Sequence, residues 1–511
     1  MKTKPYKHQL KEFVEHRDDE ARALFWSMRT GKTKTIIDLG CYNFQKGRVD
    51  GGLVSAPNGV HENWVRREIP AHSWDDVPCM AMAWSAKRSR RPGFDEEFEA
   101  LLAFEGMAWF SFNVEALTVD ARARKYIARF INARDLLFVA DECDDYGTPS
   151  SQRTKAARAL TKKTAMRRIM SGTPLEDSPL SAYSEFELLR PGALGFVSTG
   201  EVADRSYVSG FTHFKEKYAD YKEARTANGH KYPVLKGYKN LDDLKARMAP
   251  FTSVVLRSDC EDMPKLVSTQ RFYEPSAYQM ERYLELYDNA IIQLKSGELT
   301  TFEGGARVLK MQQVLGGFFI SPDGDVERLE GPNPRLDALA EEAAFALSTR
   351  GKFIVWARFR EEIAMIVERL REDGMDVVEY RGGMSRNAKL EALDRFMDDD
   401  AVDGLVGQPA AGGRGLNMSR GKSILWYSYG PRARDRLQAN ERATVSGGED
   451  IDLIDIVATN WMEDRIAGLI DWHVLESLES KHTRGEDMSR SGMVSYLAWA
   501  AGLPSSKTGA G

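Results

Sequence analysis

At 511 residues the chain is longer than one hydrophobic core usually supports, because single cores stop growing near ~250–300 residues, so several compact lobes are expected. Hydrophobic residues at 42% and charged residues at 29%, with a net charge of −5, exclude a disordered or fibrous chain but leave nucleic-acid binding open, since that depends on where positive charge sits. Cys41, Cys79, Cys143 and Cys260 form no CxxC pair, which argues against a zinc knuckle or a disulfide framework, and no apolar run approaches the ~18 residues of a membrane span.

In chain order, residues 20–180 alternate apolar runs with helical patterns, the rhythm of a parallel sheet covered by helices. ARALFW, GGLVSAP, GMAWFSF, DLLFVAD and RRIMSG are the expected strands of this block. From about 190 to 340 the rhythm gives way to helical periodicity, as in SAYQMERYLELYDNAIIQLKSG and ARVLKMQQVL, and a helical insertion with a linker is expected over 191–340. A second βα block follows, with KFIVWARF, DVVEYRG, DGLVGQP, KSILWYS and DLIDIVA as its strands. The expected fold is therefore α/β: one parallel-sheet lobe over 1–190, a second over 341–480, and a C-terminal tail over 481–511 that ends in the small, polar SSKTGAG.

Segment SMRTGKT joins the strand ARALFW to the helical run KTKTIIDLGCYNF. A glycine-lysine-threonine loop in that setting can cradle phosphates: backbone around Arg29, Thr30 and Gly31 faces them, Lys32 reaches the β and γ oxygens, and the Thr33 hydroxyl binds Mg²⁺. Trp26 stands where the first glycine of the full GxxxxGK[ST] pattern belongs, so an ordinary helix N-terminus is the competing reading. DLLFVADECDD then sets Asp141 and Glu142 directly after a buried run, at the strand end where ligands bind in open α/β sheets. There Asp141 suits Mg²⁺ and Glu142 suits activation of the attacking water, against the alternative of a solvated acidic turn.

Taken together, MRTGKT, DECD and MSGTPLEDSP resemble motifs one, two and three of superfamily-two helicases, and SGTPLEDSP is similar to the corresponding segment of the Swi/Snf-like branch. VSAPNGVHENWVRREIP resembles motif Ia, and Gln9 of PYKHQ matches the glutamine that reads adenine in related enzymes. Further on, KFIVWARFREEIAMIVERL resembles motif IV, EYRGGMSRNAKLEALDRFMDD a backbone-touching loop, GQPAAGGRGLNMS motif V and RLQANERATVSGG motif VI. The resemblance covers most of residues 5–470 and implies two RecA-like lobes sharing ATP and Mg²⁺. It places Gly415 near phosphate or sugar, and Gln438 and Arg442 on the glutamine and first arginine of motif VI, with Arg442 reaching the γ-phosphate. The second arginine of that motif is missing, since Val445 occupies its position; Arg442 alone completes the site, or Arg414, Arg432 or Arg434 substitutes, or hydrolysis is weak.

The implied activity is nucleic-acid-stimulated ATP hydrolysis driving translocation along DNA or its remodelling, in a minimal bacterial or phage type of the branch. An RNA-dependent helicase and a nucleotide-controlled DNA clamp with weak turnover are the alternatives. DNA is expected rather than RNA, held mainly through backbone phosphates, with no membrane, a monomeric state and a cytoplasmic location, the host's cytoplasm for a phage protein. The acid-free run Arg153, Lys155, Arg158, Lys162, Lys163, Arg167 and Arg168 and the segment AKRSRR at 86–91 are candidate phosphate contacts or solvated faces. Trp64 and Trp109 are candidates for base stacking or for the core.

Overall fold

The computed structural model describes residues 1–172, 175, 178–199, 208–225, 231–260, 263–296, 301–321, 323–409, 418–430, 433–444, 447–459 and 475. The chain divides into two compact units, the first of Met1–Tyr221 with Leu235–Glu261, the second mainly from residue 262 onward.

The first unit is built on strands β1 (Ala21–Trp26), β2 (Gly51–Ala56), β3 (Cys79–Ala83), β4 (Met107–Asn113), β5 (Leu136–Asp141) and β6 (Met166–Ser171). Continuous apolar runs form these strands because a parallel sheet is covered on both faces. Side chains alternate between the two layers accordingly. Leu136, Phe138 and Ala140 of β5 pack in one cluster with Phe25, Leu53 and Phe110. Leu137 and Val139 pack in the other with Leu24, Trp26 and Val54. A hairpin of β7 (Ala219–Arg225) and β8 (Lys231–Tyr238) follows, and then β9 (Thr252–Val255). The finished sheet is seven-stranded, in the order β3-β4-β2-β5-β6-β1-β9, with every pair parallel.

The second unit carries β10 (Leu266–Tyr273), a small antiparallel pair β11 (Phe318–Ile320) and β12 (Val326–Arg328), and then β13 (Phe353–Trp356), β14 (Val377–Tyr380), β15 (Gly404–Gly407), β16 (Ser423–Trp426) and β17 (Ile451–Ala458). Its main sheet is also all parallel, in the order β10-β17-β16-β13-β15-β14. One apolar cluster, including Phe353, Val355, Ile366, Leu405 and Ile456, forms its core.

Each motif block expected from the sequence thus holds a parallel sheet flanked by helices. The stretch 191–340 contains the expected long helices, Ala277–Ser296 and Thr301–Gly316. It also supplies strands that the helical expectation did not contain, β9 to the first sheet and β10 to the second. Both lie at sheet edges, where one side of the ladder is unpaired; β9 is only four residues long and half-buried, and β10 keeps most of its side chains in water, so neither presents the apolar run of a central strand. The tail 481–511 lies outside the described residues.

Candidate functional site

The loop after β1 turns sharply into the helix Lys32–Gln45. Two of its residues take left-handed backbone, Arg29 at φ 63° and Gly31 at φ 82°. Gly31 is needed there twice over, since an added Cβ would also lie 1.9 Å from Gln9 Nε2. Lys32 folds back, its Nζ donating to Trp26 O at 2.8 Å and Ser27 O at 3.2 Å. Thr30 is buried and its hydroxyl donates to Ser27 O at 2.7 Å. Thr33 sits half-buried in the first turn of the helix.

Gln9 is buried on the helix Lys7–His16. Its Oε1 accepts from Tyr6 N at 2.8 Å, while its Nε2 donates to Gly31 O at 3.1 Å and Thr30 O at 3.3 Å. In this structure the amide therefore ties the N-terminal helix to the glycine-lysine-threonine loop. His8, which carries no signal of its own in the sequence, adds a second tie, with Nε2 2.7 Å from Thr30 O.

β5 and β1 lie on either side of β6 in the sheet, which puts the acidic loop and the glycine-lysine loop two strand spacings apart, roughly 10 Å. The end of β6 fills the interval. A Cβ added to Gly172 would meet Met28 Cγ at 2.5 Å and Lys32 Nζ at 3.6 Å. Ser171 Oγ donates to Asp144 Oδ2 at 2.7 Å, joining the third motif to the second. Thr173, Pro174, Glu176 and Asp177 of that third motif lie outside the described residues.

Asp141 is nearly buried at the end of β5, and Glu142 follows at φ 56°, ψ 64°. Four non-glycine residues have positive φ among the described residues: Arg29, Glu142, Leu175 and Asn240. Three of the four fall in the loops after β1, β5 and β6, and such backbone strain concentrates where function demands a fixed geometry. Asp141 Oδ2 accepts from the indole Nε1 of Trp64 at 2.8 Å. Cys143, fully buried, donates to Glu185 Oε2 at 3.6 Å, and burial followed by the nearby carboxylates of Glu185, Asp144 and Glu142 pushes its thiol well above the ordinary range. As donors, Asp141 and the Thr33 hydroxyl are hard oxygens, the chemistry that Mg²⁺ prefers.

In the second unit the strand ends are stitched together as well. Gln408, after β15, accepts from Gly382 N at 2.8 Å and donates to Arg358 O at 2.9 Å, linking the loops that follow β13, β14 and β15. Arg442 is buried, its Nη2 donating to Pro409 O at 3.2 Å and its guanidinium 5.3 Å from the Trp356 ring centre. Gln438 is half-buried on the helix Ala433–Glu441, and its Nε2 has no hydrogen-bond partner among the described residues. Arg436 on the same helix is committed to Asp455 through two bonds of 2.8 and 2.7 Å. Gly412, Gly413, Arg414, Gly415, Arg432 and Val445 lie outside the described residues.

The basic run changes character once folded. Arg168 is fully buried and donates to Asp19 O at 2.7 Å and His16 O at 3.4 Å; burial pulls its guanidinium down to about 10, still charged at neutral pH. Arg167 donates to Leu189 O at 3.3 Å, and Arg158 pairs with Glu187 at 2.5 Å. Lys155, Lys162 and Lys163 stay exposed, as do Lys87, Arg88, Arg90 and Arg91 of the second candidate segment. Trp64 and Trp109 are both core residues, 1% and 0% exposed, with ring centres 6.3 Å apart, so the stacking alternative is withdrawn for both. Among the described residues no helix is long and apolar enough to cross a membrane.

No family model matches the chain. It is 20% identical over 331 residues to an uncharacterised ATP-dependent helicase of Mycoplasma pneumoniae, an alignment covering 64% of this chain and 29% of the relative. It is 22% identical over 481 residues to the putative ATP-dependent helicase/translocase YwqA of Bacillus subtilis, covering 91% of this chain and 46% of that protein. The DNA repair and recombination protein RAD26 of Saccharomyces cerevisiae is 22% identical over 345 residues, covering 64% of this chain and 30% of that protein. The chain therefore spans less than half the length of these curated relatives. Among solved structures it is similar to the Sulfolobus solfataricus SWI2/SNF2 ATPase core in complex with dsDNA, at 17% identity and a TM-score of 0.40, covering 99% of this chain and 97% of that one. Two of these curated relatives are named as ATP-dependent helicases, the kind of protein that the motifs resemble.

Proposed function

We propose that this chain is a nucleic-acid-stimulated ATPase of the Swi/Snf-like branch of superfamily two, which hydrolyses ATP to move along or remodel DNA. The observation that carries this reading is the meeting of three strained loops, after β1, β5 and β6, at one end of a parallel sheet, where open α/β folds collect their ligands. Lys32 binds the β and γ oxygens of ATP, and Gln9 holds the loop that carries it. Thr33 and Asp141 are the residues that would hold Mg²⁺, which supplies neutralisation of phosphate charge when bound. Glu142 orients the attacking water and accepts its proton. Gln438 and Arg442 of motif VI complete hydrolysis, as the resemblance assigns them. DNA is held through its phosphates by exposed lysines and arginines rather than by base readout.

The test is steady-state ATP hydrolysis with single-stranded DNA, duplex DNA, forked DNA and RNA as stimulators. Duplex or forked DNA is expected to stimulate most, and Lys32→Ala is expected to abolish turnover with an unchanged circular dichroism spectrum. Strongest stimulation by RNA would replace this reading with an RNA-dependent helicase, and DNA binding without turnover would replace it with a nucleotide-controlled clamp. Parental turnover in folded Lys32→Ala protein would remove the site altogether.

A further inference from the structure

Trp64 occupies an uncommon piece of backbone. Residues Trp64–Glu68 form a π-turn between two short helical turns, Val60–Asn63 and Ile69–His72, with Ile69 N donating to Trp64 O. Pro70 accounts for the irregularity: it has no N–H for the carbonyl of Arg66, so the regular i→i−4 ladder cannot continue through it. Such π-turns are rare and recur at functional positions. This one follows β2, the direct neighbour of β5, so its first residue stands beside the end of β5. There the buried indole donates to Asp141 Oδ2 at 2.8 Å, with Trp109 packed against its ring.

We propose that Trp64 is a positioning residue for the divalent cation, its indole N–H orienting the Asp141 carboxylate that would hold the ion. The inference rests on the reading of Asp141 as a cation-holding carboxylate. An indole N–H is donor-only and does not titrate near neutral pH, so it fixes one carboxylate oxygen without competing for the cation or exchanging a proton with it. Partners of this kind, which hold a metal ligand rather than the metal, are commonly worth about 10–100-fold in metal affinity or activity when removed.

The test uses the full chain and a fluorescent N-methylanthraniloyl-ATP, whose affinity is measured in EDTA and across a Mg²⁺ titration. Trp64→Phe keeps a buried ring but loses the donor, so its affinity in EDTA is expected to match the parent. The Mg²⁺ concentration that gives half of the affinity gain is expected to rise about tenfold or more. Trp109→Phe disturbs the same ring pair without touching the bond to Asp141 and is expected to keep the parental Mg²⁺ curve. Trp64→His, smaller than Phe but still bearing a ring N–H, is expected to fall closer to the parent than Trp64→Phe does. An unmoved Mg²⁺ curve in Trp64→Phe, an equal shift in Trp109→Phe, or an order that follows side-chain volume would each overturn the proposal. A parent whose nucleotide affinity shows no gain from Mg²⁺ would overturn the ATPase reading along with it, whereas a Mg²⁺-dependent parent with an unmoved Trp64→Phe would remove Trp64 alone.

Discussion

Glu142 and Gly31 are residues whose backbone was fixed before their chemistry. Glu142 sits in left-handed backbone at the exit of β5, a conformation a non-glycine residue holds only when its surroundings enforce it. Replacing it with Gln keeps shape and hydrogen bonding but removes the base, so ATP binding should persist while hydrolysis falls by the ~10²–10⁴ typical of a general base. Nucleotide affinity and single-turnover rate, measured on the same preparation, separate the two; equal losses in both would contradict the role. Gly31→Ala confronts a left-handed φ of 82° and the Gln9 amide at 1.9 Å. The Gln9 amide or the loop must give way, loosening the tie to the helix Lys7–His16, and nucleotide affinity is expected to drop about tenfold, the equivalent of ~1.4 kcal/mol, within the cost of left-handed backbone for a residue with a Cβ. Unchanged binding by fluorescence titration would mean that the loop is not held in this form when nucleotide is bound.

At the scale of elements, the run between β5 and β6 illustrates how one stretch of positive charge divides its labour. The helix Gln152–Thr161 and the turn after it expose Lys155, Lys162 and Lys163, whereas β6 carries Arg168 into the core. Changing the three lysines to Gln should weaken DNA binding evenly across sequences and flatten its salt dependence by about one unit of log–log slope for each phosphate no longer neutralised. A salt slope identical to the parent's would return these lysines to an ordinary solvated face. Arg168→Met belongs to a different class. It strands the carbonyls of His16 and Asp19, and bonds from a charged donor of this kind are worth roughly 1.5–3 kcal/mol, so it should lower the melting temperature first and DNA binding only as a consequence.

Over the whole molecule, the glycine-lysine-threonine loop and the acidic loop proposed to hold nucleotide belong to the first unit, and Gln438 and Arg442 to the second. Removing Arg442 should therefore spare ATP binding and strike stimulated hydrolysis, where an arginine acting on the γ-phosphate can contribute ~10³–10⁵ in rate. A parental rate in Arg442→Ala would mean that the motif VI assignment is misplaced. Arg436 cannot serve instead while it is held by Asp455 in a buried, two-bond pair.

Much of this was legible in the chain alone. Strands β1, β2, β4, β5 and β6, and β13 to β17, announce themselves because a strand buried on both faces must be an apolar run, and the glycine-lysine-threonine and acidic loops are contiguous stretches whose chemistry travels with their residues. Edge strands β9 and β10 stayed hidden, since a four-residue strand and a largely exposed one present no such run. The order β5-β6-β1, which brings the acidic loop within reach of Lys32, was settled only by folding. So were the burial of Arg168, the tie from Gln9 to Gly31 and the bond from Trp64 to Asp141, which join residues 149, 22 and 77 positions apart. Local sequence fixes what a segment can be, because propensity and burial act over a few residues; which segments become neighbours depends on the packing of entire sheets, a property that no single stretch of the chain contains.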